Sequence, residues 1–472
     1  MVLPIDFEHK TSLLLGDNEY NNFRNALVDE VPVSIRTNPF KHRDLIKSLF
    51  THTASPVPWS GSGFYLNHRP TFTFDPLFHA GCYYVQEASS MFLGQVIEQF
   101  IKEPVRMLDL CAAPGGKSTH IRSLLPAGSL LVSNEIVRSR SHVLAENLTK
   151  WGHPDVVVTN NEPSDFRKSI LFDAVLADVP CSGEGMFRKD PEAIKEWSPE
   201  NVINCRQRQR EIINDIWPAI RPGGLLIYST CTYNLSENEE NIAWIQQSLG
   251  GMPQHVEISL DWNITTRFAG YDFPVYRFFP HKTKGEGFFL AVIRKPGDSE
   301  YTENNNLPEK HKLKKINRNK PAQTISLPEH IKSWITDSGD YTLHTEGERF
   351  YAFTKFYENE LHSFKHNLRI VLAGVPVGMR KGKDVKPDHA LAMSKLFNRN
   401  IFPEVELAWE QAIGYLRKES VILPPETPKG IVLVTYKNIP LGFVNQVGNR
   451  ANNLYPQEWR IRTGHIPDKS PF

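Results

Sequence analysis

The sequence lacks the features that mark membrane, secreted and strongly basic proteins. No apolar run is long enough to span a bilayer, and the start, MVLPIDFEHK, has no cationic segment followed by an apolar core. The formal net charge is only +1, so any surface for nucleic acid must be local. The 472 residues therefore predict a cytoplasmic protein without membrane contact, with two to four domains and an ample core.

Cysteine is scarce and unevenly distributed. The odd total in a long chain argues against a disulfide framework, and no CxxC pair is present, so no metal site is expected. All of the cysteines precede residue 232, which indicates that some serve chemistry in the middle of the chain. They are Cys82, Cys111, Cys181, Cys205 and Cys231.

The most informative stretch is 105–117, VRMLDLCAAPGGK, which is neither a Walker A nor a GxGxxG sequence. A short apolar run predicts a buried parallel strand. Gly115 and Gly116 then allow a sharp turn and close approach of backbone N–H groups to a ligand. A helix opening near Lys117 would direct its positive end at that ligand. The stretch predicts nucleotide-type binding at the carboxyl end of a first strand.

Strand and helix patterns alternate through the middle of the chain, which predicts a doubly wound, mostly parallel, Rossmann-like α/β sheet. The predicted strands are 105–110, 129–134, 155–160, 172–178, 225–229 and 287–294. The predicted helices are 83–100, 139–151, 199–220, which RPGG closes, and 236–248, which Ser236 caps.

The flanking regions differ from this middle part. The first 80 residues predict a small α/β appendage with a helix at 18–31, a strand at 33–36, a helix at 43–50 and irregular structure at 55–76. The run EKHKLKKINRNK predicts a basic linker, either a phosphate contact or a solvated tether. The tail mixes short strand and helix patterns, as an α+β unit would. The predicted domains are 1–80, 81–296, the linker 297–324, and 325–472.

Two further motifs follow predicted strands directly. DVPCSG begins at Asp178 after the fourth strand, and STCT, which contains Cys231, follows the fifth. Both lie at the carboxyl edge of the predicted sheet, where ligands bind. Either Cys181 or Cys231 alone would suggest a buried structural thiol, but the pair favours chemistry. Glu135 ends the second strand, where an acidic residue binds ribose hydroxyls in such folds.

The strings DLCAAPGGK, DVPCSGEGMFRKDPEAIKEWSPE, RPGGLLIYSTCTYNLSENE and VQEASSM resemble the Sun-type RNA cytosine-5 methyltransferases. This resemblance covers most of residues 20–296. In the tail, GMRKGKDVKPDHALAM and PLGFVNQVGNRANNLYPQEWRIR resemble the RNA-binding part of the bacterial ribosomal RNA small-subunit methyltransferase F group. Together the two resemblances extend over nearly the whole chain.

The resemblance implies S-adenosyl-L-methionine as cofactor and methylation of carbon 5 of a cytosine in small-subunit ribosomal RNA. It places Glu135 at the ribose, Asp178 near the methionine end and the target base, and Glu162, or alternatively Asn160, at the adenine. The remaining implied cofactor contacts form the turn itself: Cys111, Ala112, Ala113, Pro114, Gly115, Gly116 and Lys117.

The resemblance also divides the work between the two cysteines. It implies that Cys231 attacks ring carbon 6 of the base, which makes carbon 5 nucleophilic, and that Cys181 assists release. Asp178 is placed to assist at base N3. A nearby cation would favour the attacking thiolate. The candidate cations are Lys117, Arg188 and Lys189.

RNA is expected to contact the N-terminal unit, the linker and the tail of a monomeric enzyme. In the tail, residues 380–383 and 449–462 combine cations with Tyr455 and Trp459, although for Trp459 a core position is favoured. The same reaction on tRNA and a non-catalytic RNA-binding assembly factor are the alternatives. A small-molecule or protein methyltransferase is disfavoured, because neither substrate needs a thiol adduct.

Overall fold

The computed structural model describes residues 1–41, 54–297, 329–382 and 384–472. Two helices, Ile5–Leu15 and Asp17–Ala26, open the chain. A four-stranded antiparallel sheet follows, which consists of β1 (Val33–Thr37), β2 (Ala54–Pro56), β3 (Gly63–Leu66) and β4 (Tyr83–Val85) in the order β2-β3-β1-β4. The predicted helix at 43–50 lies outside the described residues.

Two predictions for this region were wrong. Residues 55–76, predicted as irregular, contribute to β2 and β3 and include the turn Phe72–Phe74 before the short helix Pro76–His79. Residues 83–85 are not the start of a helix, because Tyr84 pairs with Arg36 of β1. The aromatic and β-branched YYV run favours a strand once a partner is available. The predicted helix is reduced to Leu93–Phe100, which the 3₁₀ turn Ser89–Phe92 precedes.

The middle of the chain forms a large mixed sheet. Its strands here are β5 (Arg106–Asp109), β6 (Leu130–Asn134), β7 (Val156–Thr159), β8 (Phe172–Asp178), β9 (Ile220–Thr230), β10 (Met252–Gln254), β11 (Tyr276–Phe278) and β12 (Phe288–Arg294). β5 to β9 run parallel, in the order β9-β8-β5-β6-β7, and β12 pairs antiparallel with β9. The predicted doubly wound α/β fold is confirmed.

Helices connect these strands, and two of their predicted ends were wrong. The helix Pro199–Ile216 stops before the RPGG sequence, which lies inside β9, because Pro218 in the turn Trp217–Ala219 has no N–H to continue the helix. The last helix begins at Glu239 rather than at Ser236, and no side chain caps it. The others are Gly116–Leu124, Arg138–Trp151 and Pro191–Glu196, with 3₁₀ turns at Pro163–Lys168, Glu184–Met186 and Leu260–Trp262.

The C-terminal part adds two four-stranded sheets. β13 (Tyr341–Glu346), β14 (Arg349–Thr354), β16 (Val375–Lys381) and β17 (Asp384–Pro387) form the first, and β18 (Glu404–Glu406), β19 (Gly430–Tyr436), β20 (Ile439–Val447) and β21 (Arg450–Asn453) form the second. The helices are Glu358–Asn367, His389–Met393 and Trp409–Leu416, with 3₁₀ turns at Glu329–Trp334, Lys355–Tyr357 and Arg399–Ile401. From residue 298 on, the predicted linker lies outside the described residues.

One strand of this part joins the central sheet. β15 (Ile370–Ala373) pairs antiparallel with β7. Among the described residues, β15 is the edge strand on this side of the sheet. Phe353, Phe364 and Leu368 pack in the same apolar cluster as Val157 of β7. The middle and C-terminal parts of the chain therefore share one sheet and one core.

Candidate active site

The CAAPGGK turn connects β5 to the helix Gly116–Leu124. The N–H of Ala112 donates to the carbonyl of Asn134 at 2.8 Å, which ties the turn to the end of β6. Gly115 adopts φ 114°, a left-handed conformation that favours glycine. A Cβ atom at Gly116 would lie 3.2 Å from the ring of Tyr84, so this turn packs closely against β4. The predicted strand, turn and helix are confirmed.

A cleft of about 180 Å³ lies between this turn and β4 with the segment that follows it. Asp178 and every residue of the turn except Gly115 form one side. The other side comes from Tyr84, Val85, Gln86, Glu87 and Ser90. Sequence reasoning gave these residues no role, although most of them belong to the VQEASSM string that carries part of the family resemblance.

The parallel pairing of β8 with β9 brings the two cysteine motifs side by side. Asp178 pairs with Ser229, and the loops that follow place Cys181 Sγ 3.3 Å from Cys231 Sγ. The hydrogen bond between the thiols, together with burial, raises the pKa of Cys181 well above its ordinary value. Burial likewise raises the pKa of Cys111 in the turn. The arrangement keeps Cys181 and Cys111 protonated.

Asp178 links the CAAPGGK turn to the cysteine motifs. Lys117 Nζ donates to its Oδ2 atom at 2.9 Å, and Ser229 Oγ donates to its Oδ1 atom at 2.7 Å. Burial is the largest single influence on the pKa of Lys117 and lowers it, but the charge and hydrogen bond of Asp178, together with negative charge on Cys231 and Asp109, outweigh burial and raise that pKa. Lys117 is therefore a protonated cation that also attracts a thiolate at Cys231.

The two other candidate cations are engaged elsewhere. Arg188 donates to the backbone carbonyls of Gly285, Asp29 and Glu30. Lys189 forms an ion pair with Glu286 at 2.5 Å. Lys117 is the one of the three that lines the cleft with Asp178.

The acidic residues predicted for ribose and adenine differ in their surroundings. Glu135 is buried at the end of β6, where Oε1 accepts from the N–H of Val137 at 2.9 Å. Asn160 donates to the carbonyl of Glu135 at 2.7 Å and so holds the same segment. Glu162 is exposed, and its backbone N–H donates to the carboxylate of Asp165 in the 3₁₀ turn Pro163–Lys168 at 3.1 Å. None of Glu135, Asn160 and Glu162 lines the cleft beside the turn.

A buried carboxylate that sequence reasoning missed connects the two cysteine loops. Glu237 is fully buried and accepts hydrogen bonds from the backbone N–H and the hydroxyl of Ser182, at 2.9 and 2.5 Å. It also accepts from the side-chain amides of Gln209 and Asn234, both at 2.7 Å. Ser182 follows Cys181 directly, so Glu237 fixes the loop that presents this thiol. The SENE sequence carries no periodicity that would have indicated such burial.

The tail residues predicted to stack on RNA lie mostly in the core. Tyr455 is buried, which contradicts its predicted exposure to RNA. Trp459 is half-buried and its ring meets that of His389, in agreement with the core position favoured for it. Arg380 and Lys381 lie at the end of β16, and Lys383 lies outside the described residues. No helix in the described ranges is long and apolar enough to cross a membrane.

Three family models match the chain. The model of 16S rRNA methyltransferase RsmB/F matches residues 100–294. The models of the N-terminal domain of 16S rRNA methyltransferase RsmF and of the methyltransferase RsmF PUA domain match residues 3–88 and 402–461.

Two curated proteins named ribosomal RNA small subunit methyltransferase F are similar over most of their length. The protein from Klebsiella pneumoniae (strain 342) is 30% identical over 429 residues, which is 87% of this chain and 86% of that protein. The protein from Escherichia coli (strain K12 / MC4100 / BW2952) is 30% identical over 430 residues, which is 88% of this chain and 86% of that protein.

Solved structures are similar to the larger part of the chain. A methyltransferase homolog protein from Pyrococcus horikoshii has a TM-score of 0.53 at 26% identity and covers 61% of this chain and 94% of its own. NSun6 from Pyrococcus horikoshii with SFG has a TM-score of 0.54 at 22% identity and covers 62% of this chain and 99% of its own, which shows the fold.

Proposed function

The chain belongs to the 16S rRNA methyltransferase RsmB/F family, and from this premise we propose that it methylates carbon 5 of a cytosine in small-subunit ribosomal RNA with S-adenosyl-L-methionine. The family makes it an RNA methyltransferase. The position on the base, the cofactor and the covalent route are the steps that we propose.

The observation that carries the proposal is the pair of thiols 3.3 Å apart beside the Lys117–Asp178 ion pair. Carbon 5 of cytosine is a poor nucleophile. When the Cys231 thiolate forms a bond to carbon 6, electron density moves to carbon 5, which can then accept a methyl group. Loss of the carbon 5 proton to a base and rupture of the sulfur–carbon 6 bond return the thiolate and free the product.

The surrounding residues support this division of roles. Cys181, whose pKa is raised, keeps its proton and can donate a hydrogen bond to the Cys231 sulfur. Lys117 stabilises negative charge on Cys231, and Asp178, held by Lys117 and Ser229, is placed to assist at base N3. Cys181 supports the final release from the neighbouring strand end.

The cleft suits a cofactor of the predicted type. The first N–H groups of the helix Gly116–Leu124 have no partner within that helix, and Gly116 and Lys117 line the cleft. We propose that residues 111–117 hold the cofactor, that Glu135 binds its ribose hydroxyls, and that Asp178 lies near its methionine end. Glu162, or Asn160, is proposed for the adenine. When bound, S-adenosyl-L-methionine supplies an electrophilic methyl group on a sulfonium.

RNA is the partner that the family supports, and the PUA match supports an RNA contact in the tail. We propose that the ranges 1–80 and 325–472 hold RNA around the range 81–296, which carries the chemistry, with 297–324 as the linker between them. Methylation of tRNA by the same reaction is the second candidate. A non-catalytic assembly factor would not need the two paired thiols.

Bisulfite mapping of ribosomal RNA and transfer RNA from cells with and without the gene tests the proposal. One cytosine in small-subunit RNA should lose its protection from conversion when the gene is absent, and regain it when the wild-type gene, but not Cys231→Ala, is restored. Loss of protection in transfer RNA alone would favour the second candidate. No difference in either RNA would contradict both.

A further inference from the structure

A second groove, of about 440 Å³, lies beside the catalytic region. One wall comes from the N-terminal part, residues 29–33 and 66–69. The other wall is the loop 280–285 after β11, and Arg188 completes the lining. The groove shares no lining residue with the cleft at the CAAPGGK turn. The groove is therefore separate from the site proposed for the cofactor, and the proposed function gives it no role.

Basic side chains dominate this groove. Arg69, Lys282 and Lys284 are exposed in it and Arg188 is half-buried, whereas its carboxylates are those of Asp29 and Glu30 alone. Within the described ranges, Lys282 is the one of these four cations with a carboxylate within ion-pair distance, Glu19 at 3.2 Å. The positive charge of the other three remains available to an anion from outside.

Two of these cations are already held in place. Lys284 Nζ lies 4.6 Å from the ring centre of Tyr65, and the hydroxyl of Tyr65 donates to the carbonyl of Lys284 at 2.6 Å. The guanidinium of Arg69 lies 5.8 Å from the ring centre of Phe72. Because these contacts restrict the two side chains, a bound anion would cost less side-chain entropy than at free surface lysines.

Hydrogen bonds connect the walls of this groove to the cofactor cleft and to the loop that contains Cys231. Arg188 Nη1 donates to the carbonyl of Gly285 at 2.8 Å, and the N–H of the next residue, Glu286, donates to Glu87 of the cofactor cleft at 3.1 Å. Gly185, three residues before Arg188, donates its N–H to the carbonyl of Cys231 at 2.8 Å. An occupant of the groove would therefore contact Arg188 and Gly285, which these hydrogen bonds link to the loops that hold the two thiols.

We propose that this groove binds the sugar–phosphate backbone of a single-stranded RNA segment adjoining the target nucleotide. A row of cations suits a polyanion, and a base must leave its stack before a thiol can add to it, which costs least when the base lies in a single-stranded segment. The identity of the ligand rests on the proposed function. The binding itself does not depend on methyl transfer, so the binding proposal and the proposed function can fail separately.

The test compares charge reversal inside and outside the groove in the full chain. Arg69→Glu/Lys284→Glu is the groove variant. Lys102→Glu/Lys168→Glu makes the same charge change at two exposed lysines that precede β5 and β8, at the opposite edge of the central sheet. The probe is a fluorescein-labelled cytidine 12-mer, and its Kd is measured by anisotropy from 50 to 200 mM KCl.

We expect the groove variant to raise Kd about tenfold or more at 100 mM KCl. It should also make the slope of log Kd against log salt shallower by about 1.4, since each lost single-strand phosphate contact removes about 0.7. The Kd of the control variant should stay within about twofold of the wild-type Kd, because we expect affinity to depend on the charges in the groove rather than on net charge.

Equal weakening in the groove and control variants, or none in either, overturns the proposal. If the charge reversals lower the thermal midpoint, Arg69→Gln/Lys284→Gln provides the same comparison without added negative charge. If this neutral double variant has the same slope of log Kd against log salt as the wild type, the proposal is also overturned. Neither result depends on methylation, so inactivity of the wild-type enzyme toward ribosomal RNA would contradict the proposed function and leave the binding result intact.

Discussion

Two thiols 3.3 Å apart do not ionise together, because like charges at that distance repel. Cys181 keeps its proton, and the proposed mechanism assigns the attack to Cys231. Cys181→Ala should therefore still form the adduct with RNA but resolve it slowly, so that RNA stays attached to the protein on a denaturing gel. Cys231→Ala should give no attached RNA, and the double variant should behave like Cys231→Ala.

Cys205 offers a matched control for these substitutions. It is a half-buried thiol on the helix Pro199–Ile216, with Asn201 as its hydrogen-bond acceptor. Cys205→Ala should neither trap RNA nor reduce methylation. Attached RNA in Cys231→Ala, with none in Cys181→Ala, would reverse the two roles.

Asp109 at the end of β5 makes part of the stability depend on pH. Its side chain is fully buried, Ser118 donates to Oδ2 at 2.6 Å, and burial raises its pKa from 3.8 to about 7. Above about pH 4 the unfolded chain releases a proton that the native state retains. The contribution of this group to stability is therefore complete below about pH 4 and is lost as the pH rises toward 7.

Asp109→Asn removes this ionisation. We expect the free energy of unfolding of the variant, minus that of wild type, to increase by at least about 1 kcal/mol between pH 4.5 and 7.5. Urea titrations followed by tryptophan fluorescence at both pH values measure it. Asp272→Asn, at an exposed position, serves as the control. A difference that is constant with pH would show that Asp109 ionises as freely in the native state as in the unfolded chain.

At the scale of elements, the paired ends of β8 and β9 need the buried carboxylate of Glu237 to hold their loops. Glu237→Gln turns one acceptor into a donor that faces the donors of Ser182, Gln209 and Asn234. We expect a loss of about 2–3 kcal/mol in unfolding free energy, because buried donors lose their acceptor. The yield of trapped RNA in a Cys181→Ala background should fall while cofactor affinity, measured by calorimetry, changes little.

Glu240→Gln is the control for this effect. Glu240 lies three residues further along and forms an ion pair with Arg206 at a partly exposed position. Its substitution should cost well under about 1 kcal/mol, as exposed ion pairs do. Equal losses of unfolding free energy in the two variants would mean that Glu237 stabilises the fold no more than an exposed carboxylate does.

Elements that depend on contiguous patterns were predictable from the sequence, and those that depend on distant partners were not. β8 spans Phe172–Asp178, which matches the predicted range, because a buried parallel strand is a continuous apolar run. β4 was missed because its strand character depends on pairing with β1. The predicted cap at Ser236 was wrong because the helix begins three residues later, at Glu239, where Asn238 precedes it and binds Thr230 and Thr232 with its side chain.

The same distinction holds within the candidate site. The motifs located Cys181, Cys231 and Asp178 at one sheet edge, since the carboxyl ends of parallel strands meet there. The distribution of cations around them was not predictable. Arg188 and Lys189 are as close to Cys181 in sequence as any candidate, yet their side chains bind the loop 285–286. Only the fold could distinguish them from Lys117.

At the scale of the whole molecule, β15 makes the C-terminal part a component of the catalytic sheet. It pairs with β7, and Lys395 donates its N–H to the carbonyl of Gly152, at the end of the helix Arg138–Trp151. Without β15, β7 would present an unpaired edge, and Phe353 and Phe364 would no longer cover their apolar cluster. The predicted ranges 81–296 and 325–472 thus depend on each other in the fold.

Cleavage of the chain tests this dependence. With a specific protease site inserted between residues 310 and 311, outside the described residues, the two fragments of the cut protein should co-elute in gel filtration and unfold in one thermal transition. Residues 1–310 expressed alone should aggregate, because the edge of β7 and its apolar cluster are uncovered. The uncut insertion protein is the control. A soluble 1–310 fragment that binds the cofactor as tightly as the full chain would show that the catalytic sheet is complete without β15.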